Sequence, residues 1–147
     1  MSELPPVVSP ERRDAILRRI EPIPVVRAMQ MRIDELRDGY CRATVPRDRR
    51  YDGIYNSYHG GLLATVADSI ACFAIMTLTG PEQHLTTTDL NIRYLAACRS
   101  DVTAEARVIK LGRTLVPVEV KLFDEHRVHV AVAHVTYFRL SDAPPKG

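Results

Sequence analysis

His59-Gly60-Gly61-Leu62-Leu63-Ala64-Thr65-Val66-Ala67-Asp68 is the stretch on which the fold turns. Two glycines open an apolar run, and a single carboxylate stands nine residues after the histidine. The run continues to Leu78 and Gly80-Pro81 stops it, so the pattern predicts a helix over about Gly61 to Leu78. Such a helix is apolar nearly all round and must be wrapped by other elements. Thr65, Asp68, Ser69 and Thr77 interrupt it, and it reads as too short and too polar for a membrane span. The exposed N–H groups at a helix start favour developing negative charge. A carboxylate inside an apolar helix is costly unless it has a partner or a task.

Working outward, Ser9-Pro10-Glu11 supplies a cap, a proline for the first helical position and an acid. These predict a short helix to about Arg19 or Ile20, ended by Pro22 and Pro24. Val25 to Leu36 reads as a helical turn that becomes a strand. Asp38-Gly39 joins Met31–Leu36 to Tyr40–Val45 as a hairpin. Pro46 to Tyr58 is a loop rich in Arg, Asp, Gly and Asn.

After the long helix the period changes to two. Thr86 to Leu95 alternates with Thr88, Leu90, Ile92 and Tyr94 on one face, and Val102 to Ile109 follows. Leu111-Gly112-Arg113 turns the chain into a strand faced by Val116, Val118, Val120 and Leu122. Pro117 suggests an edge or a bulge there. Asp124-Glu125-His126 turns it again into Val128–Leu140. One long helix followed by a meander of strands indicates an α+β fold with a strongly curved antiparallel sheet. The expected divisions are an N-terminal helix and linker over residues 1–24, one domain over 25–140, and a flexible tail over 141–147.

The chain has 147 residues and a formal net charge of +2, with no concentrated basic face of the kind a nucleic acid demands. Its three cysteines, Cys41, Cys72 and Cys98, are widely spaced, which suits reduced thiols in a cytoplasmic protein rather than a disulfide framework or a zinc knot. The N-terminus lacks the apolar core of a signal peptide. His126 falls in a turn, while His129 and His134 are an odd number apart and face opposite sides of a strand, so no metal site is expected.

His59-Gly60-Gly61, Ala67-Asp68, Thr87-Thr88-Asp89-Leu90-Asn91-Ile92, Tyr94-Leu95 and Gly112-Arg113 together resemble the hot-dog-fold acyl-CoA thioesterases of the phenylacetate-pathway type. The resemblance covers roughly Val25 to Leu140. It implies a sheet wrapped around the long helix, dimers that often pair into tetramers, and thioester hydrolysis without a cofactor. It implies that the Gly61 N–H polarises the thioester carbonyl. Asp68 would act as nucleophile or general base, and the Thr87 hydroxyl would place the water or the carboxylate. One departure stands out. The family carries Asn or Gln six residues before the histidine and glycine three before it, whereas here these positions hold Gly53 and Asn56. Either Asn56 reaches the site by another loop path, or the amide role is missing.

The chemistry is consistent with these assignments. An oxyanion donor is worth ~3–4 kcal/mol of barrier. Gly60 and Gly61 allow a substrate to approach the backbone closely. Ala64, Thr65, Ala71 and Cys72, the helical neighbours of Asp68, are small and leave room for a ligand. Seven residues separate Gly61 from Asp68, roughly 10 Å along a helix axis. Both therefore act on one carbonyl only if a second subunit brings its own copy, which predicts a site shared across a homodimer.

His59 shapes the loop or serves as a base. Arg113 meets the phosphates of coenzyme A or sits solvated in its turn. Arg47, Arg49 and Arg50 steer an anion or are solvated likewise. Tyr55, Tyr58, Phe73 and Met76 are candidates to line an aryl or medium-chain acyl pocket. The expectation is a cytoplasmic acyl-CoA thioesterase with no metal, nucleic-acid or membrane partner. The rivals are an acyl-thioester hydratase or dehydratase on the same fold, and a non-catalytic acyl-CoA-binding protein.

Overall fold

The computed structural model describes residues 3–140, and the tail expected from Ser141 to Gly147 lies outside the described residues. Helix α1, Pro10–Ile20, is capped by the Ser9 hydroxyl, which accepts from the Arg12 N–H at 3.2 Å. Pro24 does more than end it: the same proline is the first residue of α2, Pro24–Ala28, a single turn that leads into the hairpin β1, Arg32–Arg37, and β2, Tyr40–Val45. Between them Gly39 takes φ +69°, the left-handed turn conformation that glycine adopts without strain. A long helix α3, Gly60–Thr79, follows, and then β3, His84–Tyr94; β4, Val102–Val108; β5, Leu115–Phe123; and β6, His129–Leu140.

The six strands form one antiparallel sheet in the order β1-β2-β4-β5-β6-β3. Helix α3 touches every strand. Ala104, Ala106, Ala131 and Ala133 are fully buried, and these small side chains on the inner face let the helix lie close to the sheet. Ile70 and Ile75 are fully buried, each worth ~1.5–3 kcal/mol of burial. This is the α+β hot-dog arrangement, a sheet curved around one long central helix with a short helix in front.

Three expectations are corrected. Helix α3 has 20 residues and a mean hydropathy of 1.8 over its apolar window, so length and composition alone would allow it to cross a membrane. Enclosure by the sheet and by α1, whose Ile16 and Ile20 are buried, accounts for its apolar surface instead. Second, Pro117 lies in β5, an interior strand, and not at an edge or bulge. Its carbonyl accepts from the Ile109 N–H at 2.9 Å, so its ring nitrogen faces the same side, beyond the last residue of β4, where an N–H is least missed.

Third, Thr88 does not share the inner face of β3 with Leu90 and Ile92. A bulge between Thr87 and Asp89 sets Thr87 opposite Tyr137 and Leu90 opposite Val135, so Thr87 takes the inward place that strict alternation gives to Thr88.

The C-terminal end of α3 is tied to the hairpin by Thr77, which is 1% exposed. Its hydroxyl donates to the Ala74 carbonyl at 2.6 Å and accepts from the Gly39 N–H at 2.7 Å, while Arg12 donates to its carbonyl at 2.8 Å. Thr77→Val keeps the shape and leaves the Gly39 N–H without its acceptor. Denaturant unfolding should show a loss of ~1–3 kcal/mol. A change within experimental error would mean that this contact contributes nothing to the docking of helix on hairpin.

Candidate active site

Two clusters stand two turns apart on α3. The first is at its start. His59 is the N-cap, and its carbonyl accepts from the Leu62 and Leu63 N–H groups at 3.0 Å. Its imidazole Nδ1 accepts from the Gly61 N–H at 2.9 Å. An accepting Nδ1 carries no proton, so the ring proton of the neutral imidazole belongs on Nε2. His59 thus shapes the helix start. The amide expected to polarise a thioester carbonyl is already engaged, and a carbonyl would have to take the place of the imidazole.

The glycines have local reasons to be glycine. A Cβ on Gly61 would come within 3.2 Å of the His59 ring, and one on Gly60 within 3.1 Å of Tyr94 Cζ. The Tyr94 hydroxyl donates to the Gly60 carbonyl at 2.5 Å. Gly60, expected as a substrate contact, is thus covered by an aromatic ring from the end of β3.

The second cluster centres on Asp68. Its Oδ1 accepts from Thr87 Oγ1 at 2.7 Å and from the Tyr137 hydroxyl at 2.8 Å, and the same hydroxyl lies 2.8 Å from the Asp68 main-chain oxygen. Thr87 and Tyr137 are cross-strand partners on β3 and β6, so the β3 bulge presents both hydroxyls to one carboxylate oxygen. Burial, the largest cause, pushes the Tyr137 hydroxyl far above the ordinary phenol range, which keeps it a donor. Burial also pushes the Cys72 thiol, one turn along from Asp68, up to about 12, with the Asp68 charge adding to the shift. A thiol held so high is not a nucleophile near neutral pH. Tyr137 escaped the sequence reading because inward alternation on β6 marks it simply as core. The available signal was chemical: a buried tyrosine hydroxyl needs a partner.

The loop before α3 is built around Arg47. Its guanidinium makes a paired contact with Asp52, 3.0 Å to Oδ1 and 2.6 Å to Oδ2, and donates to the Arg99 and Asn56 carbonyls at 2.8 and 2.9 Å. Hydrogen bonding to Arg47 holds the Asp52 carboxyl below the usual carboxylate range. Arg50 is paired with Asp48 at 2.7 Å, which leaves Arg49 as the arginine of this trio without an ion-pair partner among the described residues. Arg47 is therefore scaffold rather than a free steering charge.

Asn56 adopts φ +55°, a left-handed conformation that asparagine tolerates better than most residues, and its N–H donates to the Gly53 carbonyl at 3.1 Å. Its side chain has no hydrogen-bond partner among the described residues. The loop uses Asn56 as a turn residue, in the conformational place of a glycine. Gly53, outside the left-handed region, offers no carboxamide. No hydrogen bond joins Asn56 to Asp68, Thr87 or Gly61.

Arg113 is exposed in the turn between β4 and β5, where no ion pair ties it to either cluster. Gly112 beside it is required by a close approach, because a Cβ there would sit 2.2 Å from the Leu115 carbonyl oxygen. His126 and His134 lie against Glu125 and Glu119, each at 3.4 Å, and His129 stacks on Phe123 with ring centres 5.0 Å apart. A cavity of about 410 Å³ adjoins the start of α3, lined by Met29, Tyr51, Tyr58, His59 and Leu62 among others. Of the four residues expected to line an acyl pocket, Tyr58 borders this cavity, Phe73 and Met76 are buried in the core, and Tyr55 is 79% exposed.

A central helix wrapped by an antiparallel sheet, a histidine-glycine-glycine start and a carboxylate two turns inside it define a hot-dog protein with a candidate hydrolytic site. The chain belongs to the thioesterase superfamily, whose family model matches residues 55–131, more than half of its length. Among curated proteins it is 28% identical over 95 residues to an esterase-named protein of Halobacterium salinarum. That match spans 61% of this chain and 63% of the relative. Solved structures share the fold. The PaaI protein of the phenylacetic acid degradation operon of Escherichia coli aligns with a TM-score of 0.83 at 17% identity, covering 92% of this chain and 98% of that one. A thioesterase family protein from Silicibacter pomeroyi aligns with a TM-score of 0.81 at 23% identity, covering 88% and 98%.

Proposed function

We propose that this protein hydrolyses the thioester of an aryl- or medium-chain acyl-CoA to the free acid and coenzyme A, without a cofactor, in the cytoplasm. The observation that carries the reading is the Asp68 carboxylate. One oxygen is held by two hydroxyls, and the other has no hydrogen-bond partner among the described residues. Thr87, which helps to hold it, lies on the open edge of the sheet and is exposed. An oriented carboxylate on a partly buried residue, with one oxygen unengaged, suits attack on a carbonyl, or activation of water for that attack. The oxyanion would be met by the Gly61 N–H once the substrate carbonyl displaces the His59 imidazole.

The site requires a second copy of the chain. Asp68 and Gly61 stand roughly 10 Å apart along α3, too far to serve one carbonyl. Among the described residues, strand β3 leaves one row of its N–H and C=O groups without a sheet partner, the surface that edge-to-edge pairing of two copies would cover. Such a homodimer carries two equivalent sites by symmetry, and two dimers could pair further into a tetramer. Arg113 would meet coenzyme A phosphates from its turn.

Two observations favour the second reading, a non-catalytic acyl-CoA-binding protein: the Gly61 N–H is already capped by His59, and Gly53 stands where the family places an amide. A hydratase fits less well, since its histidine should pair with an acid, and the His59 Nδ1 is spent on a cap. Thiol release from a panel of aryl- and medium-chain acyl-CoAs separates the readings. Turnover of at least one is expected. Saturable binding with no turnover of any would overturn hydrolysis and leave the binding protein.

A further inference from the structure

We propose that Tyr137 is a positioning residue for the hydrolytic carboxylate, and that it and Thr87 together select Asp68 Oδ2 as the reacting oxygen. The inference rests on the thioesterase reading above and extends it to a residue from a distant part of the chain.

A carboxylate has two equivalent oxygens and, on a helix, rotates between orientations. Here both available hydroxyls converge on Oδ1, from Thr87 at 2.7 Å and Tyr137 at 2.8 Å. Hydrogen bonds to an ionised acceptor are stronger than neutral ones. Two of them on one oxygen reduce its electron density and fix the group, so the unbonded oxygen retains the greater basicity. Oδ2 becomes the atom that either attacks the thioester carbon, expelling the coenzyme A thiolate and leaving an acyl anhydride that water cleaves to the free acid and Asp68, or takes a proton from the water that attacks that carbon, the C–S bond then breaking to release coenzyme A.

Tyr137 suits this role better than Thr87 does. It is 5% exposed and seated on the inner face of β6. Thr87 is exposed on an edge strand, and only its one hydrogen bond to Asp68 holds its hydroxyl. The single Tyr137 O–H proton is shared between Oδ1 and the Asp68 main-chain oxygen, each 2.8 Å away, so one three-centre hydrogen bond locates the backbone and the side chain of the same residue. The tyrosine therefore supplies the rigid reference and the threonine the second donor.

The test is Tyr137→Phe, which removes one oxygen and keeps the ring. On the best acyl-CoA of the panel, kcat should fall ~10–100-fold, the loss expected for one charge-assisted hydrogen bond. KM should stay within about twofold, because Tyr137 touches the carboxylate and not the substrate. Thermal unfolding run in parallel should give a midpoint close to that of the wild type. An unchanged kcat, or a loss of activity that follows KM or the melting temperature, would show Tyr137 to be core alone and overturn the proposal. Absence of turnover by the wild type would instead overturn the thioesterase reading, and the proposal with it.

Discussion

Asp68→Asn should lower acyl-CoA turnover ~10²–10⁴-fold, the range for removal of a general base or comparable group. Asparagine is the informative replacement because its amide oxygen can still accept from the Thr87 and Tyr137 hydroxyls, which preserves the cluster. What it loses is the charge and basicity of the second oxygen, whose place is taken by an NH₂ donor. Asp68→Ala removes the carboxylate acceptor of both hydroxyls and leaves Tyr137 only the main-chain oxygen of residue 68, so it dismantles the cluster and confuses loss of the reacting group with loss of packing. Saturation kinetics by thiol release, together with a thermal melt, check this. The melting temperature should barely move while kcat collapses. Undiminished kcat in Asp68→Asn would remove Asp68 from the chemistry, whatever the role of Tyr137.

The contrast between what was legible in the chain and what was not has a physical basis. The helix over Gly60–Thr79 and the strands after it follow from burial periodicity, which spans many residues and survives local error; their order does not, since β3 pairs with β6 rather than β4 and only β4-β5-β6 is the expected meander. The cap, proline and acid at Ser9-Pro10-Glu11 are local signals, and α1 begins at Pro10 as they require. The β3 bulge has no such signature. Thr86-Thr87-Thr88 offers three identical side chains in a row, so the alternation that places Leu90 and Ile92 inward reads smoothly through Thr88 and misses the extra residue. The same blindness applies to Tyr137, whose partner lies 69 positions away. Asn56 was a different case: its type was visible, but whether it donates an amide or turns the loop is decided by a backbone angle that composition does not encode. The His59 cap on Gly61 likewise depends on which way a side chain folds back.

Mixing two inactive variants should restore activity if the site is shared. Gly61→Pro removes the N–H that would hold the oxyanion, and the cost to the helix is small for a stated reason. Gly61 lies in the first turn, where its N–H bonds only to the His59 imidazole and to no helical carbonyl. Proline is tolerated in that turn. The added ring carbons would crowd the His59 imidazole, a side chain free to swing away once its hydrogen bond is gone. Asp68→Asn removes the carboxylate and leaves Gly61 intact. In a heterodimer of the two, one site combines the intact Asp68 of one subunit with the intact Gly61 of the other, and the second site carries both lesions. Random reassociation gives about half heterodimers, each with one of two sites working, so about one quarter of wild-type activity should return. Each variant alone should stay near its own residual rate. Native mass spectrometry that detects heterodimers without any recovered turnover would place both residues in one subunit's site, or outside the chemistry. The distance along α3 argues against the first alternative, because an oxyanion donor and an attacking oxygen must both lie within about 3 Å of the same carbonyl group.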